Sequence, residues 1–245
     1  MDEAKCEYSA NNTVRYLLMG RVIVRNPGGV VVIDDTYVNS AVAARGTVTP
    51  SASTTFIYPA ATISYIPRRS DSLPKIAVSM TGAFYVAKTE VASGRVSWTV
   101  VSVSGTPISY FIFDDPLDGA ATGSLVLRNK TTGRVTFDSD LDYLRVVGTY
   151  TMQRSENNKR FPLLLGREYA LISLVTTYHS YQSQVNPPNG GLWVWGMSSS
   201  TAEIRSNTLY IELVAIAGGT RTGPTNTFSY RGGDAVVMVI DVTGF

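Results

Sequence analysis

The sequence of 245 residues predicts an all-β protein built of β-sandwich-like lobes. Apolar and polar residues alternate along many short runs, which is the period of strands with one buried face. In the run Arg95–Ser104, for example, Val96, Trp98 and Val100 alternate with serine and threonine. Turn-forming stretches such as NPGG, SGTP and RGGD separate the runs roughly every eight to fifteen residues. That spacing is typical of sandwiches and barrels.

The predicted strands follow one another along the chain. They are rich in Val, Ile, Tyr, Phe and Thr, which pack well on a pleated surface. Besides Arg95–Ser104 and two hairpins described below, they are Lys75–Met80, Gly82–Val91, Ile108–Asp114, Thr208–Ile216 and Asp234–Val242. The longest candidate for a helix, Phe161–Tyr178, is interrupted by Gly166 and contains β-branched residues that favour a strand. We therefore expect no helix.

The low charge content bears on which partners this chain can have. Charged residues make up 16% of the chain, against about 25% in typical soluble proteins. We expect such a chain to carry many Ser and Thr on its strand faces or to cover its surface with other subunits. The net charge of +2 is too small for the basic stripe of a nucleic-acid-binding protein. The densest basic spot, Arg68 and Arg69 in PRR, is expected to be a solvated loop.

The single cysteine, Cys6, excludes an intrachain disulfide and fits assembly in a cytoplasm. The first residues are acidic and lack the basic region of a secretory signal. No apolar run approaches the ~20 residues that a membrane-spanning helix needs. We expect a protein made in a cytoplasm, without membrane insertion.

One hairpin pattern occurs twice, as GRVIVRNPGGVVVIDD in Gly20–Asp35 and as GSLVLRNKTTGRVTFDS in Gly123–Ser139. Each copy opens with glycine, continues with Arg-Asn and a turn containing glycine, and closes with an acidic residue. The turn glycines supply positive φ, and the asparagine can accept hydrogen bonds from the turn backbone. The matched positions are Gly20 with Gly123, Asn26 with Asn129, Gly29 with Gly133 and Asp34 with Asp138.

The repeat predicts two β lobes, one of residues 1–116 and one of residues 117–245, each beginning with a hairpin module. The stretch Asp114–Gly123, DDPLDGAATG, is then the linker between them. The alternative is one fold in which the two hairpins lie in separate sheets.

The second copy and its continuation, Gly123–Tyr150, resemble a phrase found in small tail proteins of tailed bacteriophages. That phrase runs from a glycine through L-x-V-x-N, a short turn and an aromatic or aliphatic residue with DS to L-R-V-V. The first copy, within Tyr16–Thr49, is similar to the N-terminal module of the same minor tail protein family. Together the two motifs cover about a quarter of the chain.

The resemblance implies a structural virion protein of the tail, at the tip, on the hub or in a fibre, near the host-contacting end. It implies tail hub, tube or fibre proteins as partners and a homo-oligomer, with a trimer favoured for fibre-like parts. The hairpin positions would then serve assembly. The resemblance implies no catalytic residue and no cofactor.

The residues themselves give little support to an enzyme. His179 is the lone histidine, and Cys6 lies in what is expected to be a flexible start, so neither a zinc site nor a Cys–His pair is predicted. Three acidic clusters are the stronger candidates for paired carboxylates or calcium ligands: Asp34 and Asp35; Asp114, Asp115 and Asp118; and Asp138, Asp140 and Asp142. The simpler interpretation is that these aspartates accept hydrogen bonds from backbone N–H groups at strand ends and turns.

Aromatic residues around the loop VNPPNGG offer a different function, a host-surface glycan-binding module of the tail. Trp193 and Trp195 follow the loop two residues apart, and Tyr178 and Tyr181 precede it. Exposed rings stack on sugar faces while amides pair with hydroxyl groups. The alternative is that the two tryptophans are core residues of one strand. Trp193, Trp195 and Tyr181 are the candidate ligand contacts.

Overall fold

The computed structural model describes the backbone of residues 5–8, 14–17, 23–25, 31–34, 38–119, 121–184, 192–222 and 228–245, and most side chains from residue 38 onward. The described residues form strands, turns and irregular segments without a helix. The prediction of an all-β, sandwich-like protein is confirmed. Within the described part, no helix has the length and apolar character needed to span a membrane.

Twenty strands are described. They are β1 (Lys5–Tyr8), β2 (Val14–Leu17), β3 (Ile23–Arg25), β4 (Val31–Asp34), β5 (Ala41–Val48), β6 (Ala60–Tyr65), β7 (Lys75–Ser79), β8 (Phe84–Ala92), β9 (Arg95–Ser102), β10 (Ile108–Asp114), β11 (Val126–Arg128), β12 (Val135–Asp138), β13 (Val146–Met152), β14 (Asn158–Pro162), β15 (Tyr169–Val175), β16 (Tyr178–Gln184), β17 (Leu192–Arg205), β18 (Thr208–Thr222), β19 (Phe228–Arg231) and β20 (Ala235–Asp241).

The strands form two large sheets and three small ones. The six-stranded sheet has the order β13-β20-β15-β7-β10-β5. The other large sheet has the order β14-β18-β17-β8-β9-β6, with β16 paired to β17 and β19 paired to β16. The three two-stranded sheets are β1-β2, β3-β4 and β11-β12.

The chain divides into two compact units whose segments alternate along the sequence. The first unit comprises residues 1–44, 67–75 and 112–144, and the second comprises residues 45–66, 76–111 and 145–245. The boundary that we predicted, between residues 116 and 117, lies inside the first unit, and both hairpin modules belong to that unit. Strands far apart in the sequence pair within one sheet, so chain order alone does not delimit the units.

Local sequence explains several elements directly. The burial of β9 alternates as predicted from Val96 to Val100, because every second side chain points to the core. The turns after β8 and β17 place Ser93 with Gly94, and Ser206 with Asn207, at positive φ, as two-residue hairpin turns require. The stretch Phe161–Tyr178 forms the end of β14, a turn with Gly166 at φ 74°, and β15.

Each unit has an apolar core. In the first unit, the buried residues include Ala41, Ile112, Phe113, Leu127 and Val135. In the second unit, buried side chains come from both large sheets, among them Phe84, Val100, Leu209, Ile211 and Ile240. Burying each such aliphatic or aromatic side chain contributes about 1.5–3 kcal/mol.

Candidate functional site

The second hairpin, residues Gly123–Ser139, forms as predicted from the sequence. β11 and β12 are antiparallel, and the register shifts between Leu127 and Arg128. The facing pairs are Val126 with Asp138, Leu127 with Phe137, and Arg128 with Val135. Leu127 and Val135 are buried, so one face of the hairpin contributes to the core of the first unit.

The first hairpin, β3 with β4, repeats this register. Its register shift lies between Val24 and Arg25, again directly before the arginine. The facing pairs are Ile23 with Asp34, Val24 with Ile33, and Arg25 with Val31, which are the positions matched by the sequence repeat. The repeat is therefore one of strand register as well as of sequence. Gly20, Asn26, Gly29, Asp35 and the side chain of Asp34 lie outside the described residues.

The turn of the second hairpin is organised by Asn129. Its side-chain oxygen accepts hydrogen bonds from the backbone N–H groups of Thr131 at 3.0 Å and Thr132 at 2.9 Å. The backbone N–H of Gly133 donates to the carbonyl of Asn129 at 2.8 Å. Gly133 has φ 70°, a conformation that residues with a Cβ rarely adopt. The predicted roles of Asn129 and Gly133 in the turn are confirmed.

The two ends of the second hairpin are joined by a contact that we call the Gly123–Asp138 staple. The Asp138 carboxylate is buried and accepts backbone N–H donors from Thr122 at 3.0 Å, Gly123 at 2.9 Å and Asp140 at 3.0 Å. A Cβ on Gly123 would overlap Asp138 Oδ1 and lie 2.8 Å from the backbone nitrogen of Ser139. Only glycine allows this approach, which explains why the hairpin opens with glycine and closes with aspartate.

A stacked ring pair supports the closing strand. The rings of Phe137 and Tyr143 lie 4.9 Å apart with an interplanar angle of 13°. The Tyr143 hydroxyl accepts a hydrogen bond from the backbone N–H of Asp138. Burial raises the pKa of Tyr143 above its ordinary value. The residues after the hairpin therefore fold back onto its closing strand.

Arg69 connects the loop before β7 to the stretch after β10. Its guanidinium donates to Asp115 Oδ2 at 3.3 Å, to Asp118 Oδ1 at 2.5 Å and to the carbonyl of Pro116 at 3.1 Å. Its side chain is only 10% exposed. The expectation of a solvated basic loop is therefore wrong, because nearby carboxylates and carbonyls satisfy the buried guanidinium. The described part of the predicted linker Asp114–Gly123 is likewise held by these contacts.

The same cluster extends to the second hairpin. Asp118 Oδ1 also accepts the backbone N–H of Val135 at 2.8 Å, and its carbonyl accepts from Arg128 at 3.0 Å. On the surface, Arg134 donates to Asp71 Oδ2 at 2.8 Å, and this bond holds the pKa of Asp71 below its ordinary value. Burial raises the pKa of Asp115, although Arg69 opposes that rise.

Most of the candidate catalytic aspartates that the structure describes accept structural hydrogen bonds. Asp114 accepts backbone N–H groups from Arg68 at 2.7 Å and from Asp115 at 2.8 Å. Asp118 and Asp138 also accept backbone donors, and Asp140 accepts from the Thr122 hydroxyl at 3.2 Å. Among the described residues, no group of three His, Cys, Asp or Glu side chains is arranged to hold a metal ion. These contacts favour the interpretation of the aspartates as strand-end and turn residues.

His179 lies on β16 in a hydrogen bond with a hydroxyl group. Its Nε2 lies 2.9 Å from Ser229 Oγ, and its ring is tilted against that of Tyr181 at 5.7 Å. Cys6 belongs to strand β1, opposite Tyr16, rather than to a flexible start. The two residues are thus in separate sheets.

The predicted aromatic site is divided by strand register. Tyr181 faces Gly196, whereas Gln182 faces Trp195. Positions 181 and 195 are therefore on opposite faces of the sheet, because successive residues of a strand alternate in direction. The Tyr181 ring, 38% exposed, lies against Gly196, where an added Cβ would be 2.7 Å from it. The side chains of Trp193 and Trp195 lie outside the described residues.

Sequence analysis did not single out a small cavity in the second unit. Its volume is about 150 Å³, and it contains one carboxylate, that of the buried Glu203, which pairs with Arg205 at 2.6 Å. The other lining residues are Val78, Ser79, Met80, Phe84, Tyr169, Leu171 and Ile204. Glu203 is the one acidic residue of β17, LWVWGMSSSTAEIR, and only that acid within an otherwise apolar and hydroxyl-rich strand could have drawn attention to it.

Comparisons with protein-family models, curated proteins and solved structures found no match to this chain.

Proposed function

We propose that this chain is a structural component of a bacteriophage tail, located at the tip, on the hub or in a fibre. It assembles with copies of itself and with other tail proteins near the host-contacting end. The observation that carries the proposal is the duplicated hairpin. Both copies share one register and one bulge position, and their sequences are the segments that resemble minor tail proteins.

The polar contacts of the second hairpin fit a mechanical function. The carboxylates of Asp118 and Asp138 accept backbone N–H groups of the same unit, so they hold loops in place. A low content of charge, 16%, also suits surfaces that are covered in an assembly. On this proposal the chain is not an enzyme and needs no cofactor.

The direct test is to shorten the second hairpin in the phage genome and to analyse the particles. Removing Leu125–Phe137 should give particles that lack this protein or fail to infect, as measured by mass spectrometry and plaque counts. A matched control, Lys130→Ala in the exposed turn, should leave both unchanged. Particles of normal composition and infectivity after the truncation would refute the proposal, as would absence of the wild-type chain from mature particles.

The second candidate function is binding to a glycan of the host surface. The exposed ring of Tyr181, tilted against the half-buried His179, favours it, because exposed rings beside polar groups suit shallow sugar sites. This function predicts that the purified chain adheres to bacterial cells and that Tyr181→Ala or Trp193→Ala abolishes adhesion. No adhesion, or adhesion unaffected by both changes, would exclude it.

A further inference from the structure

The outer edge of β13 is open in the described part of the chain. β13 is the terminal strand of the six-stranded sheet, and it pairs with β20 alone. A terminal strand presents a row of backbone N–H and C=O groups that can pair with another strand.

β13 has a bulge near its start but lacks two other common protections of an edge, charge and proline. Its sequence, VVGTYTM, contains neither a charged residue nor proline. By contrast, β14, the terminal strand of the eight-stranded sheet, is NKRFP and carries Lys159, Arg160 and Pro162. Charges and proline on terminal strands are common protection against edge-to-edge pairing. The other two terminal strands are β5, which carries Arg45, and β6, AATISY, which is uncharged but is bridged at Ala60 by Ser51. Of these four described edges, β13 is thus the one best suited to accept a strand.

The side chains of β13 also suit a strand partner. Val146 and Val147 are 51% and 40% exposed, and Thr149 and Thr151 are exposed as well. β-Branched residues facing one another across two strands stabilise a pair by about 0.2–1 kcal/mol relative to alanine. A strand of similar composition would therefore add favourable pairs along this edge.

Glycine and tyrosine meet in a recurrent arrangement within this protein. Tyr181 on β16 lies against Gly196 on β17, and Tyr110 on β10 lies against Gly46 on the neighbouring strand β5. In each case the ring of one strand covers the glycine of the next. In β13 the corresponding contact is formed within one strand, since the Tyr150 ring lies over Gly148, where an added Cβ would be 3.1 Å from the Tyr150 hydroxyl, and packs 4.8 Å from the ring of Phe161.

We propose that β13 pairs antiparallel with β13 of a second copy of this chain, about a twofold axis at Thr149. This register places the exposed positions 147, 149 and 151 of the two copies opposite one another, and the half-buried positions Gly148 and Tyr150 opposite each other. Thr149 faces Thr149, and Val147 faces Thr151. No like charges meet, because the strand has none. The bulge between Val146 and Gly148 lies at one end of the paired segment.

The proposal does not depend on the function in the tail, since it is based on the edge alone. It gives an even number of subunits, because an isologous interface relates the copies by a twofold axis. It therefore differs from the trimer that the resemblance suggests.

The test is sedimentation equilibrium of the full chain over micromolar concentrations. The wild type should form dimers, and Thr149→Lys and Thr149→Glu should each weaken dimerisation at least about tenfold, because like charges would face each other across the axis. An equimolar mixture of the two variants should associate again. Thr89→Lys and Thr89→Glu are matched controls, since Thr89 is exposed on β8 between the charged residues Lys88 and Glu90, and should not affect association.

A cross-link gives a second measurement that is independent of the charge variants. In a Cys6→Ser background, Thr149→Cys should form a disulfide-linked dimer under oxidising conditions, while Thr89→Cys should not. A monomer at all concentrations, a trimer, dimerisation unaffected by both charges at position 149, or absence of the Thr149→Cys cross-link would each overturn the proposal. None of these outcomes bears on whether the chain is present in virions.

Discussion

The second hairpin and the edge strand β13 differ in whether their polar groups are hydrogen-bonded within the chain. In the hairpin, Asp138 alone accepts three backbone N–H groups, and Asn129 accepts two more. In the described residues β13 is bonded on one side only, and it has an uncharged sequence with two exposed valines. The hairpin is stabilised from within the unit, whereas β13 retains the capacity to bind another strand.

This difference shows that a repeated motif and an uncharged edge strand indicate different things, internal stability in one case and association in the other. The repeated motif, glycine to aspartate, is the more conspicuous one, yet in the second copy its polar residues are used for the internal geometry of the hairpin. β13 has no motif, and its lack of charge and proline is what favours an interface. We therefore expect mutations in the hairpin to change stability and mutations on β13 to change association.

The largest expected effect is that of Gly123→Ala. The new Cβ would overlap the Asp138 carboxylate and crowd the backbone of Ser139, so the Gly123–Asp138 staple must open. We expect a loss of about 3 kcal/mol in the free energy of unfolding, measured by urea denaturation. The matched control is Gly119→Ala, where an added Cβ meets no atom within 4 Å, and it should change stability little. Equal effects of the two substitutions would contradict the role of the staple.

A smaller effect is expected for Asn129→Ala. It removes the acceptor of two backbone N–H groups in the turn. By analogy with the loss of a capping side chain, the cost should be about 1 kcal/mol. Lys130→Ala, an exposed change in the same turn, is the control for unfolding experiments. If Asn129→Ala were as neutral as this control, the turn would not depend on the asparagine.

The smallest effect concerns Asp71 and its dependence on pH. The hydrogen bond from Arg134 lowers the pKa of Asp71 below 3.8 in the folded protein. The unfolded chain therefore binds the proton more readily, so the contribution to stability is present above the ordinary pKa and is lost as pH falls through the lower folded value. Both side chains are largely exposed, so solvent screens the pair.

We therefore expect Asp71→Asn to lower the melting temperature slightly near neutral pH, with a difference from the wild type that shrinks on acidification. Arg134→Gln should have the same effect, and the double variant should be no less stable than either single variant. A difference that is constant with pH would show that the ion pair is not its cause.

Much of the fold could be predicted from local sequence. Alternation gave β9 and β10, and the turn chemistry of Asn129 and Gly133 gave the second hairpin. The composition of the two units could not be predicted in this way. β5, β7 and β10 join one sheet with β13, β15 and β20, and such pairing between distant segments leaves no local signal.

In the candidate site, contacts within the hairpin could be predicted from the sequence, whereas contacts between distant loops could not. The link between Gly123 and Asp138 explains the repeated motif, but the burial of Arg69 among Asp115 and Asp118 depends on two loops far apart in the sequence. Only the opposite charges of PRR and DDPLD hinted at it. Positions 181 and 195 lie on opposite faces because of the register between two strands. The positions of the aromatic residues in the sequence do not reveal that register.

The most direct test of the contrast between the two regions is hydrogen exchange of the wild-type chain at low and at high protein concentration. Among Gly148–Thr151, the backbone amides that point away from β20 should gain protection as the concentration rises, because dimerisation covers the free edge of β13. The amides of the second hairpin, such as those of Thr132 and Gly133, should exchange at the same rate throughout. Unchanged exchange along β13, or a concentration dependence confined to the hairpin, would contradict it.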